Sequence, residues 1–242
     1  MRMLSRHIAK RAVLIALLCW LCVDANPPAG AAVAARGRTG IQPREPEALA
    51  LGPRGDLYLA DRARDQILKR LRDGSFIVVA GNGRAGFGGD GGPAVAAELN
   101  GPEGMTIARD GTIYFADSQN ERIRRISPGG IITTVAGDGK LGSVRSGTTA
   151  LDATLGGPAD VIAGPRGGLY VADAGSNQIL RLSPRGILTR VAGPTIQRYA
   201  GVYDVGKPAT EASPDGPYGL AFDRAGNPEA GRGCCGGRNR MH

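Results

Sequence analysis

Histidine is nearly absent from this chain of 242 residues: His7 and His242 lie at its two ends and none falls between them. The body of the chain therefore has no imidazole for metal binding or general-base work. Cysteine is almost as scarce. Cys19 and Cys22 sit in an N-terminal apolar run, and Cys234 and Cys235 are adjacent near the C-terminus, where a vicinal disulfide is strained and the spacing does not suit a metal site. Residues 46–226 hold no cysteine, so packing alone must hold them together. Aromatic residues make up only 5% of the chain. No P-loop, G-x-S-x-G or H-E-x-x-H pattern occurs.

A surplus of charge is also missing where it would matter. The chain carries a formal +8, yet residues 46–226 hold 20 basic and 19 acidic side chains, a net +1. The excess lies in the two ends, which argues against a nucleic-acid partner. A long hydrophobic run is lacking as well. Residues Ala12–Val23 form the apolar stretch, too short to span a bilayer comfortably but suited to a signal-peptide core behind the basic segment Met1–Arg11. The small residues Ala32-Val33-Ala34 offer a cleavage site, so residues 1–34 are expected to be a signal peptide helix and 35–45 a linker. The product is then secreted or held in the cell envelope or periplasm. An uncleaved segment would instead anchor it to a membrane.

What the chain has in quantity is glycine, 39 residues, with 16 prolines, between short runs of Val, Ile, Leu and Thr. That composition indicates turn-rich β structure. Three segments align without a gap: Pro46 to Asp61, Pro102 to Asp117 and Pro158 to Asp173, each ending in the pattern Leu/Ile-Tyr-x-Ala-Asp. Ile67, Ile123 and Ile179 follow each Asp in register, and Gly81, Gly137 and Gly193 follow those. Each unit divides into four short strands separated by Asp-Gly, Pro-Gly and polar turns, the arrangement of a propeller blade. The predicted fold is an all-β propeller with blades near 46–81, 102–137 and 158–193. A partial unit at 217–226 is followed by an irregular tail over 227–242, because Pro228 suits no central ladder and apolar alternation stops.

These blades resemble NHL repeats. The resemblance rests on Ala116-Asp117-Ser-Gln-Asn120-Glu-Arg122-Ile123 and Ala172-Asp173-Ala-Gly-Ser-Asn177-Gln-Ile179, and on the extended loop from Val79 through Gly88-Gly-Asp90-Gly-Gly92 to Pro102, which is similar to that of bacterial and teneurin-like NHL proteins. It implies a propeller that closes with about six blades. The three blades and a stub counted here lead to the expectation that the sequence is a truncated or frameshifted form, with open blade edges that invite self-association.

A propeller scaffold hosts many functions. The expected one is an exported binding module that recognises a protein, glycan or cell-wall ligand through the face carrying the long loops 82–100, 138–156 and 194–215. Phe87, Asp90, Tyr199 and Tyr203 are the binding-face candidates. Phe87 and the series Ala94, Ala97 and Leu99 have a competing reading as plugs between blades. Asp61, Asp117 and Asp173 recur once per blade, which points to a local side-chain bond holding the polar turn rather than to a ligand site. No cofactor is required. Asp90 is the best lone candidate for a Ca²⁺ ligand, although an oxygen cage needs six or so ligands. The resemblance carries two alternatives: a lactonase-like hydrolase with a Ca-type site in the axial channel, and an RNA-binding top face. A third family activity, a lyase that relies on histidine ligands, lacks them here.

Overall fold

The structure is a computed structural model that describes residues 40–165, 167–193, 209 and 216–232. The signal peptide helix, most of the third long loop with Tyr199 and Tyr203, and all four cysteines lie outside those residues.

Three four-stranded blades follow one another. The first holds β1 (Pro46–Leu51), β2 (Leu57–Asp61), β3 (Gln66–Arg70) and β4 (Phe76–Ala80). The second holds β5 (Pro102–Ile107), β6 (Ile113–Asp117), β7 (Arg122–Ile126) and β8 (Ile132–Ala136). After a short β9 (Thr148–Thr149), the third holds β10 (Pro158–Ala163), β11 (Leu169–Asp173), β12 (Gln178–Leu182) and β13 (Ile187–Ala192). Every blade is an antiparallel meander in sequence order. First strands pack on first strands, β1 on β5, β5 on β10 and β10 on a further strand, β14 (Pro217–Phe222). They line the inner side of the array, and the fourth strands form its rim. This is the β-propeller architecture that the repeat predicts.

The apolar core lies between blades. Ala60, Ile67, Ala80, Leu99, Met105 and Phe115 bury one interface, and Ala116, Ile123, Leu155, Val161, Val171 and Leu180 the next. The recurring Gly81, Gly137 and Gly193 have a steric cause. A Cβ at these positions would stand 2.1–2.2 Å from the carbonyl oxygens of Asp65, Glu121 and Asn177, and all three glycines have φ between 90° and 102°.

Two sequence expectations need correction. The chain does not become irregular at residue 227: β15 (Pro228–Arg232) pairs antiparallel with β14. Pro228 stands at the first position of its strand, opposite Phe222, where a missing N–H leaves the rest of the ladder intact. The turn before it is closed by Asp223, whose carboxylate accepts from the backbone and side-chain amides of Asn227.

The second correction concerns the first two long loops, 82–100 and 138–156, which do not stay on one face but run out along the rim. Residues 91–94 run along the rim strand of the following blade: the N–H of Gly91 bonds to the carbonyl of Ile132, that of Ile132 to Gly92 and that of Ala94 to Gly130. The second loop does the same one blade later, with β9 pairing to β13 and the N–H groups of Gly147 and Ala150 bonding to Leu188 and Gly186. A bare rim strand leaves a row of unpaired N–H and C=O groups, and these loops satisfy it.

Candidate functional site

The residues singled out from sequence are mostly committed to the fold. Asp61, Asp117 and Asp173 are wholly buried. Their carboxylates accept from backbone N–H groups some 16–17 residues upstream, those of Arg44 and Glu45, of Asn100 and of Gly156. The bond therefore ties the segment entering a blade to the end of its second strand; it is not chiefly a local turn. Local contacts exist as well, from Asn120 to Asp117 and from Ser176 to Asp173. Burial pushes the Asp117 and Asp173 carboxyls up, Asp173 to about 7.

Asp90 is engaged on both oxygens. Arg124 donates to Oδ1 at 2.8 and 3.1 Å and the backbone N–H of Thr134 to Oδ2 at 2.9 Å. Partial burial pulls its pKa upward, but Thr134 and Arg124 outweigh that and hold it below the usual carboxylate value. Phe87 is 44% exposed, and its ring lies under two guanidinium groups, Arg122 at 3.7 Å and Arg124 at 4.9 Å. Ala94, Ala97 and Leu99 fill the gap between blades, at 0–1% exposure. Among the described residues no cluster of three or more His, Cys, Asp or Glu is placed to hold a metal ion.

A cavity of about 620 Å³ lies between the second and third blades, beside the short hairpin turns of the third, with residues 149–151 of the second long loop in its lining. Its floor includes Tyr114, Val135, Ala150, Leu169 and Leu182, and its walls Ala163, Gly164, Gly167 and Gly168 on one side and the turn Ser183–Gly186 on the other. One position explains why it exists. The last residue of the inner strand is Ile107 in the second blade and Phe222 in the unit after the third, but Ala163 in the third blade. At the neighbouring interfaces a larger residue stands there: Ile107 and Tyr58 pack on the same core cluster, and Tyr170 meets Phe222 edge to face at 5.1 Å between centroids. Tyr114 packs on the core cluster with Leu169 and Leu182, and beside it the third blade offers only Ala163 and its adjoining glycines at the place of Ile107 or Phe222, so space is left between the blades. The volume suits a small organic ligand.

The axial mouth holds a second polar group. Arg62 lies between Glu47 of β1 and Glu103 of β5, at 3.6 and 3.7 Å. Burial raises the Glu103 carboxyl to about 7, against the pull of Arg62 and with a further push from Glu47.

The Teneurin NHL domain family model matches residues 54–150, the span from the first hairpin into the second long loop. The chain is an NHL-repeat protein. Teneurin-1 of Mus musculus is 35% identical over 179 residues, which take in 66% of this chain and 6% of that protein. This chain thus spans a small part of the teneurins it matches. Among solved structures, a protein of unknown function from Bacteroides thetaiotaomicron superposes with a TM-score of 0.58 at 17% identity, over 76% of this chain and 44% of its own. An auxiliary nutrient binding protein from Bacteroides ovatus gives 0.57 at 18%, over 75% and 44%. At such identities the likeness shows the fold.

Sequence reasoning missed a second regular feature of these NHL blades. Asp65, Glu121 and Asn177 have φ of 51–55°. Their side chains accept from the N–H groups of Gly101, Gly157 and Gly216, where the next unit begins. The 56-residue recurrence of a carbonyl-bearing side chain, each with a Gly-Pro ahead of it, was the available signal. It also missed Arg124, wholly buried at a position where the other blades have Leu68 and Leu180. The cavity too was readable, in the column Leu51, Ile107, Ala163, Phe222.

Proposed function

We propose that this NHL propeller is an exported binding module that takes a small organic ligand in the cavity between its second and third blades. The observation that carries the reading is Ala163 at the place of Ile107 and Phe222, beside a space of ligand size that Tyr114 lines. The N-terminal basic and apolar pattern supports export. The neighbouring nutrient binding protein is a precedent for ligand binding on such a scaffold. The long-loop face is the weaker choice for the site, because Phe87 and Asp90 are already held by arginines of the fold.

The test is a ligand-observed NMR screen of small organic molecules against the full chain, repeated with Ala163→Ile. Ala163 is exposed, so the larger side chain fills the cavity as Ile107 fills its counterpart. Hits that disappear with Ala163→Ile place binding in the cavity; hits that persist unchanged rule it out. Mass spectrometry of the exported chain, showing a new N-terminus near residue 35, tests the other half of the reading.

A further inference from the structure

The cavity has a charge pattern as well as a shape. Arg125 reaches it from β7 of the second blade and Arg185 from the β12–β13 turn of the third, so each of the two blades contributes an arginine to its lining. Both side chains are exposed, and neither has an ion-pair partner among the described residues. Asp110, fully exposed in the β5–β6 turn, is held below its usual value chiefly by Thr112, with a smaller pull from Arg125. Other arginines of these blades are answered: Arg62 by Glu47 and Glu103, Arg64 by Asp61, and Arg124 by Asp90 and Asp117. No carboxylate lines the cavity among the described residues, and between the arginines lie Tyr114, Val135 and Leu182.

Two cations facing one apolar space repel each other, and an anion between them relieves that repulsion. Guanidinium matches carboxylate in a two-pronged geometry, and bonds between ionised partners are about twice as strong as neutral ones. The apolar floor adds affinity in proportion to the ligand surface it removes from water. We propose that the cavity takes an organic carboxylate, its apolar body on Tyr114 and its anionic group between Arg125 and Arg185. This rests on the reading of the cavity as the ligand site and adds the class of ligand.

Isothermal titration of the full chain with three probes of one shape tests it: 2-naphthoate, its neutral methyl ester and the cation 2-naphthylmethylammonium. The naphthoate is expected to bind about tenfold more tightly than the ester, equivalent to about 1.4 kcal/mol, and the cation more weakly than either. Arg125→Gln and Arg185→Gln should each weaken naphthoate about fivefold and leave the ester unchanged. Ala163→Ile should abolish binding of both. If ester and naphthoate bind equally and Ala163→Ile removes both, the anion inference fails while the cavity stands. If Ala163→Ile changes nothing, or no probe binds, both fail.

Discussion

The two long loops have the same path and different chemistry. Gly81, Asn82 and Gly86 donate to Ala94, Ala97 and Leu99 in the first, and Gly137, Asp138 and Gly142 donate to Ala150, Ala153 and Leu155 in the second. Where they meet the next blade they diverge. The first is held by charge: Arg124, fully buried, bonds to Asp90, Asp117 and the carbonyls of Gly88 and Glu98. In the second, Leu180 stands in place of Arg124, Ser146 takes the place of Asp90 in bonding a backbone N–H, that of Arg190, and the Gln178 carbonyl accepts from Val144. The loop path is thus set by backbone pairing to the rim strand, and the side chains beneath it are interchangeable in kind. The two solutions differ in risk, because a buried ion pair adds little over an apolar one yet is costly to break from one side.

That difference yields the largest expected effect. Asp117→Ala leaves Arg124 partly unpaired in a dry interior and should cost about 3–5 kcal/mol in urea unfolding. Asp173→Ala, whose partners are neutral N–H and hydroxyl groups, should cost about 1–3 kcal/mol. Equal losses would break the comparison. Next, Asp90→Ala should lower stability by about 2 kcal/mol because Arg124 keeps Asp117, whereas Ser146→Ala should cost about 0.5 kcal/mol.

A smaller effect separates the first two inner strands, which carry Glu47 and Glu103, from the next two, which have Ala159 and Tyr218 at the same position. The folded Glu103 carboxyl binds its proton more tightly than the unfolded one, about 7 against 4.5. Its contribution to stability is fully present below pH 4.5 and is lost as pH rises toward 7. Glu103→Gln should therefore stabilise the chain at pH 8 relative to pH 5 by about 1 kcal/mol, after allowance for solvent screening. Thermal melts at the two pH values check this, and an unchanged difference would show that the axial mouth is not under electrostatic load. The smallest effect sharpens the opening comparison. Arg124→Leu combined with Asp90→Ser writes the second loop's solution into the first and should leave stability within about 1 kcal/mol of the parent chain.

Much of the fold was legible in the sequence because the blades repeat. Asp61, Asp117 and Asp173 mark the end of each second strand, and Ala94, Ala97 and Leu99 fill a gap between blades as one reading of the sequence had it. What stayed hidden depends on pairing between segments that share no pattern. Nothing in Gly91-Gly92-Pro93 declares a partner at Gly130 to Ile132. In the sequence Asp90 stands as a lone carboxylate because its partner is an arginine 34 residues away, at a position that elsewhere is leucine. Pro228 looks like a breaker in the sequence because a proline's effect depends on its place in the ladder, which sequence alone does not give. The candidate site has a faint signal, the column Leu51, Ile107, Ala163 and Phe222, for a different reason. A short side chain at Ala163 reads as nothing until the blades on either side are seen to place Ile107 and Phe222 there.

The loops that pair to the following blade also impose a direction on assembly. Each rim strand, β8 or β13, is completed by a stretch of chain that precedes its whole blade in the sequence. During synthesis from the N-terminus, that stretch has already left the ribosome when the rim strand emerges. The partner for its exposed edge is then on hand before another chain can reach it, and the interval in which nascent blades of neighbouring polysomes could cross-pair is short.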